Sequence, residues 1–137
     1  MNIGLDGIMS RLELALEAGG IAWWEIELPS GVMFFSENKA HMIGYESSKF
    51  VHYTDFTKLI HPDDYEPAMK AMRDHMEGAT EVYKTAYRIR AKDGSYRMFF
   101  DRGKIVSRDD SASMKIAGVV VDVTEDLSEL TELTARP

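Results

Sequence analysis

Three stretches of alternating apolar and polar residues, joined by turns of a few residues, fill most of positions 80–123. TEVYKTAYRIRAK (80–92) sets Tyr83, Thr85, Tyr87 and Ile89 against Val82, Lys84, Ala86 and Arg88. Asp93-Gly94, the strongest short hairpin signal in the chain, turns it into SYRMFFDRGKIVS (95–107). Arg108-Asp109-Asp110-Ser111 turns that into MKIAGVVVDV (114–123). Period two interrupted only by short turns leaves one simple solution, neighbouring antiparallel strands.

The rest of the chain must fit that sheet. IAWWEIEL (21–28) alternates Ala22, Trp24, Ile26 and Leu28 with Ile21, Trp23, Glu25 and Glu27. Pro29-Ser30-Gly31 turns it into VMFFS (32–36), a second hairpin. Between the hairpins the pattern is helical and broken. A short helix over 37–45 ends at Gly44, and another over 54–60 starts from Thr54 or Asp55 as cap. A turn over 62–65 precedes a main helix from about Pro67, because proline is costly inside a helix. Met69, Met72 and Met76 share a face of that helix. Leu5, Ile8, Met9, Leu12, Ala15 and Leu16 recur at steps of three and four, predicting an amphipathic helix over 5–18 that Gly19-Gly20 stops. The predicted class is α+β: one five-stranded antiparallel sheet with short helices on one face, an N-terminal amphipathic helix and a C-terminal outgoing helix. The expected divisions are that N-terminal helix (1–20), a core domain (21–124) and the start of a linker helix (125–137).

Composition narrows the functions. The chain has 137 residues and no cysteine, which removes disulfides, thiolate metal sites and cysteine nucleophiles. A net charge of −7 argues against nucleic acid. Arg88, Arg90, Lys92, Arg97, Arg102 and Lys104 read as the solvated edge of a hairpin. No apolar run approaches the ~18 residues of a membrane span and no signal peptide is visible, so no membrane contact is expected and a cytoplasmic setting fits. His61, Asp63 and Asp64 cluster, but helix capping accounts for the aspartates. His41, His52 and His75 are scattered, with no metal-ligand spacing. No catalytic set and no metal site is predicted.

Four motifs in order carry a resemblance. WEIELPSG (24–31), IHPDD (60–64), YRIRAKDGSYR (87–97) and GVVVDVTE (118–125) resemble, at matching spacing, the PAS domains common in bacterial and archaeal signalling proteins. The last resembles that family's terminal Asp-x-Thr signature, and the likeness covers roughly residues 18–126. Met98 and Phe35 stand where this subgroup often has tryptophan.

The resemblance implies a sensory and dimerisation module that relays to a fused effector, a histidine kinase of a two-component system or a cyclic-dinucleotide enzyme. Any catalysis would then lie outside this chain, which stops at Pro137 and is expected to be a fragment. Ligands of the family sit between sheet and helices. Helix-side candidates are Met42, Ile43, Phe56, Leu59, Met69 and Met72. Sheet-side candidates are Trp24, Ile26, Met33, Phe35, Tyr83, Thr85, Tyr87, Ile116 and Val120. The same residues also read as a filled core, and the hydroxyls of Tyr83, Thr85 and Tyr87 discriminate, since a buried hydroxyl needs a partner. Asp122 and Thr124 are the expected relay, with Thr124 as N-cap of a helix striped by Leu127, Leu130 and Leu133. Trp23 and Phe34 fall on the outer sheet face, and with Leu5, Ile8, Met9, Leu12 and Leu16 they define an expected homodimer interface. The alternative is the helix folded back over its own sheet. Of the family's cofactors, a thiol-adduct flavin is excluded for want of cysteine. Non-covalent flavin and haem are disfavoured, haem because neither His61 nor His75 is well placed as an axial ligand. A small ligand without a required cofactor remains. Rivals from other classes are a small-molecule enzyme or carrier of cone-shaped α+β fold, with Asp101, besides Asp122, as its strand-borne acid, and a purely structural interaction domain.

Overall fold

The computed structural model describes residues 4–109 and 112–135. The order is α1 (Leu5–Ala18), β1 (Ile21–Leu28), β2 (Met33–Phe35), α2 (Asn38–His41), a 3₁₀ turn (Ser47–Lys49), α3 (Tyr53–Thr57), α4 (Pro62–Met76), β3 (Tyr83–Arg90), β4 (Tyr96–Arg108), β5 (Met114–Asp122) and α5 (Thr124–Ala135). The five strands form one antiparallel sheet in the order β2-β1-β5-β4-β3. The last strand therefore lies at the centre of the sheet, between the two hairpins.

The alternation sorts faces as its period requires. Ala22, Trp24 and Ile26 of β1 are buried, as are Tyr83, Tyr87 and Ile89 of β3 and Ile116 and Val120 of β5. They meet Ala40, Ile43, Phe50, Phe56, Leu59 and Ala68 from the helical layer in one core. Met98 and Phe99 are neighbours on β4 and point to opposite faces, and Phe99 is the fully buried one.

Two helix starts differ from expectation. His52, not Thr54 or Asp55, caps α3: its Nδ1 accepts from Thr54 N at 3.2 Å, and Asp55 Oδ2 accepts from His52 N at 3.0 Å. The cap is reciprocal, with histidine in the role serine usually fills. α4 is one helix from Pro62, with Pro67 inside it and no break. Pro67 removes only the bond to the carbonyl of Asp63, a first-turn residue in water. Pro62 at the first helical position, and Asp63 and Asp64 in the first turn, favour an early start. Asp64 also fastens the helix to the sheet. It takes Arg88 Nε and Nη2, both at 2.8 Å, and Arg88 N at 2.8 Å. The Arg88 guanidinium holds the Asp64 carboxyl down at about 2.

α1 does not fold back over the sheet. None of its residues is buried, and Leu5, Ile8, Met9 and Leu12 stay exposed, with Leu16 half-buried. The outer sheet face is correspondingly open, with Trp23 43% and Phe34 47% exposed. Leu133 is exposed on α5, while the side chains of Leu127 and Leu130 lie outside the described residues.

Candidate functional site

The site starts from two glycines. Phe35, Trp24, Gly118, Gly103 and Tyr83 form one cross-strand row over all five strands. A β-carbon on Gly103 would sit 2.6 Å from Trp24 Cη2, and one on Gly118 would sit 2.8 Å from Trp24 Cζ2. Having no side chains, the two residues leave a trough in which the indole lies across β5 and β4. The trough aims Trp24 Nε1 at Asp101, which accepts it at 2.9 Å on Oδ1. Tyr87 Oη donates to the other carboxylate oxygen at 2.5 Å. Tyr83 meets the indole edge-on at 5.9 Å.

Facing this carboxylate is a buried lysine. Lys39 is 2% exposed, and its Nζ lies 3.3 Å from the centroid of Phe56. Phe50 stacks on Phe56 at 4.0 Å, so the lysine occupies the other face of the ring. Burial lowers the Lys39 ammonium from 10.5 to about 8, with the Asp101 charge opposing. Burial likewise raises the Asp101 carboxyl, against Lys39 and the hydrogen bonds of Tyr87 and Trp24. Both tyrosine hydroxyls are pushed well above their usual value by burial and then by the Asp101 charge.

Between sheet and helices lies a cavity of about 390 Å³. Nine of the fifteen residues expected from sequence line it: Trp24, Ile26, Met33, Phe56, Met69, Met72, Tyr83, Tyr87 and Ile116. The other six do not. Phe35 is drawn into the ring cluster with Phe50 and Phe56. Ile43 and Leu59 are buried behind the wall, where their carbonyls take Lys92 N and Arg90 N. Met42 packs against the outside of the core, Val120 is fully buried in it, and Thr85 stands half-buried beside Asp101 on the neighbouring strand. The wall also holds Leu28, Lys39, Tyr53, Thr57, Ile60, Tyr65, Glu66, Arg73, Met76 and Asp101, which the pocket reading did not include. Met76 and Asp101 carried a signal, the methionine face of α4 and a lone acid in a strand. Lys39 carried none, because a lysine in a four-residue polar helix reads as solvated.

The strand-to-helix junction is a second polar cluster. Arg97 Nε donates to Asp122 Oδ2 at 2.5 Å, and Arg97 Nη2 lies 3.5 Å from Glu125. Asp122 Oδ1 accepts from Thr124 N at 3.1 Å and Thr124 Oγ1 at 2.6 Å. The capping acceptor at the start of α5 is therefore Asp122, not Thr124. The Thr124 hydroxyl instead accepts from Met98 N at 2.8 Å, tying the helix to β4. Asp122 N also bonds Gly20 O at 2.9 Å, so the exits of α1 and β5 meet. Arg88 and Arg97, read from sequence as solvated hairpin charges, are thus each held by a carboxylate.

His52, His61 and His75 are structural. His75 is buried, with Nδ1 3.0 Å from Thr80 O and Nε2 accepting from Ile105 N at 3.1 Å, which leaves neither nitrogen free for a metal. His61 accepts from Asp63 N at 3.0 Å and caps α4. Among the described residues no three His, Cys, Asp or Glu side chains gather as a metal site.

Comparison with known proteins agrees with this architecture. A probable diguanylate cyclase of Escherichia coli is 28% identical over 120 residues, covering 86% of this chain and 10% of that protein. The chain thus spans a small part of that relative. A sensory box histidine kinase/response regulator structure from Burkholderia thailandensis superimposes with TM-score 0.71 at 25% identity, covering 90% of this chain and 92% of that one. The N-terminal domain of a diguanylate cyclase with PAS/PAC sensor from Marinobacter aquaeolei superimposes with TM-score 0.68 at 20% identity, covering 77% and 97%. A family model described as the PAS fold matches residues 32–120, and with the sheet order and the Asp122–Thr124 junction it places this chain in the PAS family.

Proposed function

We propose that this chain is the sensory and dimerisation module of a larger signalling protein, and that a small ligand in the cavity biases the direction in which α5 leaves. The fused effector is a histidine kinase or a cyclic-dinucleotide enzyme, as in the relatives. Residues 1–20 serve as a dimerising helix, 21–124 as the sensor and 125–137 as the start of the output helix.

One observation carries the reading. Asp101, Phe99 and Arg97 follow one another on the same face of β4, where successive residues alternate faces. Asp101 stands in the cavity wall, Phe99 is fully buried in the core, and Arg97 grips Asp122 at the root of α5. A ligand that moves the Trp24–Asp101–Tyr87 cluster therefore acts on the strand that holds the output helix. It changes only the balance between two packings, by its difference in affinity for them.

Within this chain the cavity binds and does not catalyse. A buried acid is what an enzyme of this shape would need, and Asp101 instead serves as hydrogen-bond acceptor for Trp24 on one oxygen and Tyr87 on the other. The exposed apolar stripe of α1 and the open outer sheet face support a homodimer through Leu5, Ile8, Met9, Leu12, Leu16, Trp23 and Phe34. Light scattering at micromolar concentration should give twice the chain mass; a monomer contradicts this interface. For the relay, Asp122→Ala in the full-length protein should uncouple output from the stimulus while circular dichroism shows an intact fold. Unchanged regulation in a folded variant removes Asp122 from the relay.

A further inference from the structure

The cavity wall has hydrogen-bond donors to spare, and its buried carboxylate already holds one donor on each oxygen. Asp101 accepts from Trp24 on one oxygen and from Tyr87 on the other. Lys39 Nζ has three N–H bonds and rests on the Phe56 ring, with no hydrogen bond to any described residue. The buried Tyr83 hydroxyl likewise bonds to no described residue. The cavity's other cation, Arg73, stands toward solvent and is paired with Glu66 at 3.5 Å. The Lys39 ammonium opens on the cavity with no acceptor among the described residues bonded to it, so what completes this site is an acceptor. A carboxylate does so best, because hydrogen bonds between ionised groups are roughly twice as strong as neutral ones.

Resting on the reading of the cavity as a ligand site, we propose that its ligand is a small monocarboxylate with a ring-sized apolar body, seated with an oxygen on Lys39 Nζ. The body lies among Trp24, Phe56, Met69 and Met72. A volume of 390 Å³ admits roughly a dozen non-hydrogen atoms. The thioethers of α4 adapt to the body's shape, and Tyr83 supplies a second donor within the same walls.

The probes are phenylacetate and indole-3-acetate, each with its matched amine and alcohol, titrated calorimetrically into the whole chain at pH 7. The acids should bind at least tenfold tighter than the matched alcohols and amines. Lys39→Met, folded by circular dichroism, should lose that preference and keep the affinity for the alcohols. A second readout needs no variant. The titratable and charged groups that share the cavity wall with Lys39 are Asp101 on β4, Tyr83 and Tyr87 on β3, Tyr53 on α3, and Tyr65, Glu66 and Arg73 on α4. Burial holds the Tyr83 and Tyr87 hydroxyls well above 10, while Lys39 loses its proton near 8. The acids' advantage should therefore shrink between pH 7 and 9.5. Alcohols or amines that bind as tightly as the acids overturn the carboxylate assignment and leave the cavity a ligand site. Failure of all six probes to bind overturns both readings.

Discussion

At the scale of single residues, Gly103 and Gly118 decide more than any polar group. A β-carbon on Gly118 would collide with the Arg102 carbonyl oxygen and come within 2.7 Å of Gly103 Cα, both rigid backbone atoms in the middle of the sheet. Gly118→Ala should destabilise the domain by roughly 3 kcal/mol, the upper end of overpacking, and Gly103→Ala by less, since Trp24 and the backbone share the strain. Urea unfolding checks this; two variants with wild-type midpoints would show that the trough is loose. Lys39 is the opposite case, since its burial follows from the fold around it and nothing local announces it. Sequence pattern found the indole and both tyrosines because they alternate along strands. It could not find the lysine, whose setting comes from Phe56, seventeen positions away, and Asp101, sixty-two positions away.

At the scale of elements, the strands were legible and the helical layer less so. Period two fixes which side chain faces inward, so six of the nine expected sheet residues line the cavity, while Thr85, Phe35 and Val120 do not. A helix of four or five residues, such as α2 or α3, shows too little period to say which face turns toward the sheet. That is why Met42, Ile43 and Leu59 were placed in the cavity wall and Tyr53, Thr57 and Lys39 were not. α4 was cut short by the weight given to Pro67, although its start is secured by His61, Pro62 and the Asp64–Arg88 pair. That pair carries an acid signature. Asp64 is held at about 2, below its ordinary 3.8, so the stability it contributes is complete above pH 4 and is lost as pH falls toward 2. Arg88 is 40% exposed, so solvent screens the effect. Asp64→Asn should be modestly less stable than wild type at neutral pH, and the gap should close below pH 3 in an acid-unfolding series. A constant gap across that range would mean the pair does not anchor α4.

At the scale of the whole molecule, the fold sets the cavity proposed to bind a ligand and the junction with α5 on one strand. The cavity wall and the anchor of α5 are both parts of β4, and β5 at the centre of the sheet runs beneath the cavity before it becomes α5. Coupling between cavity and junction is testable without knowing the ligand. Met72→Trp enlarges a side chain in the cavity wall and leaves the junction untouched. Hydrogen exchange of the whole chain should then be compared between wild type and this variant. Altered exchange is expected at the amides of Met98 and Thr124, which bond to Thr124 Oγ1 and Asp122 Oδ1. Exchange changed only in α3, α4 and the cavity-facing strand positions, with those two amides as in wild type, would contradict the coupling.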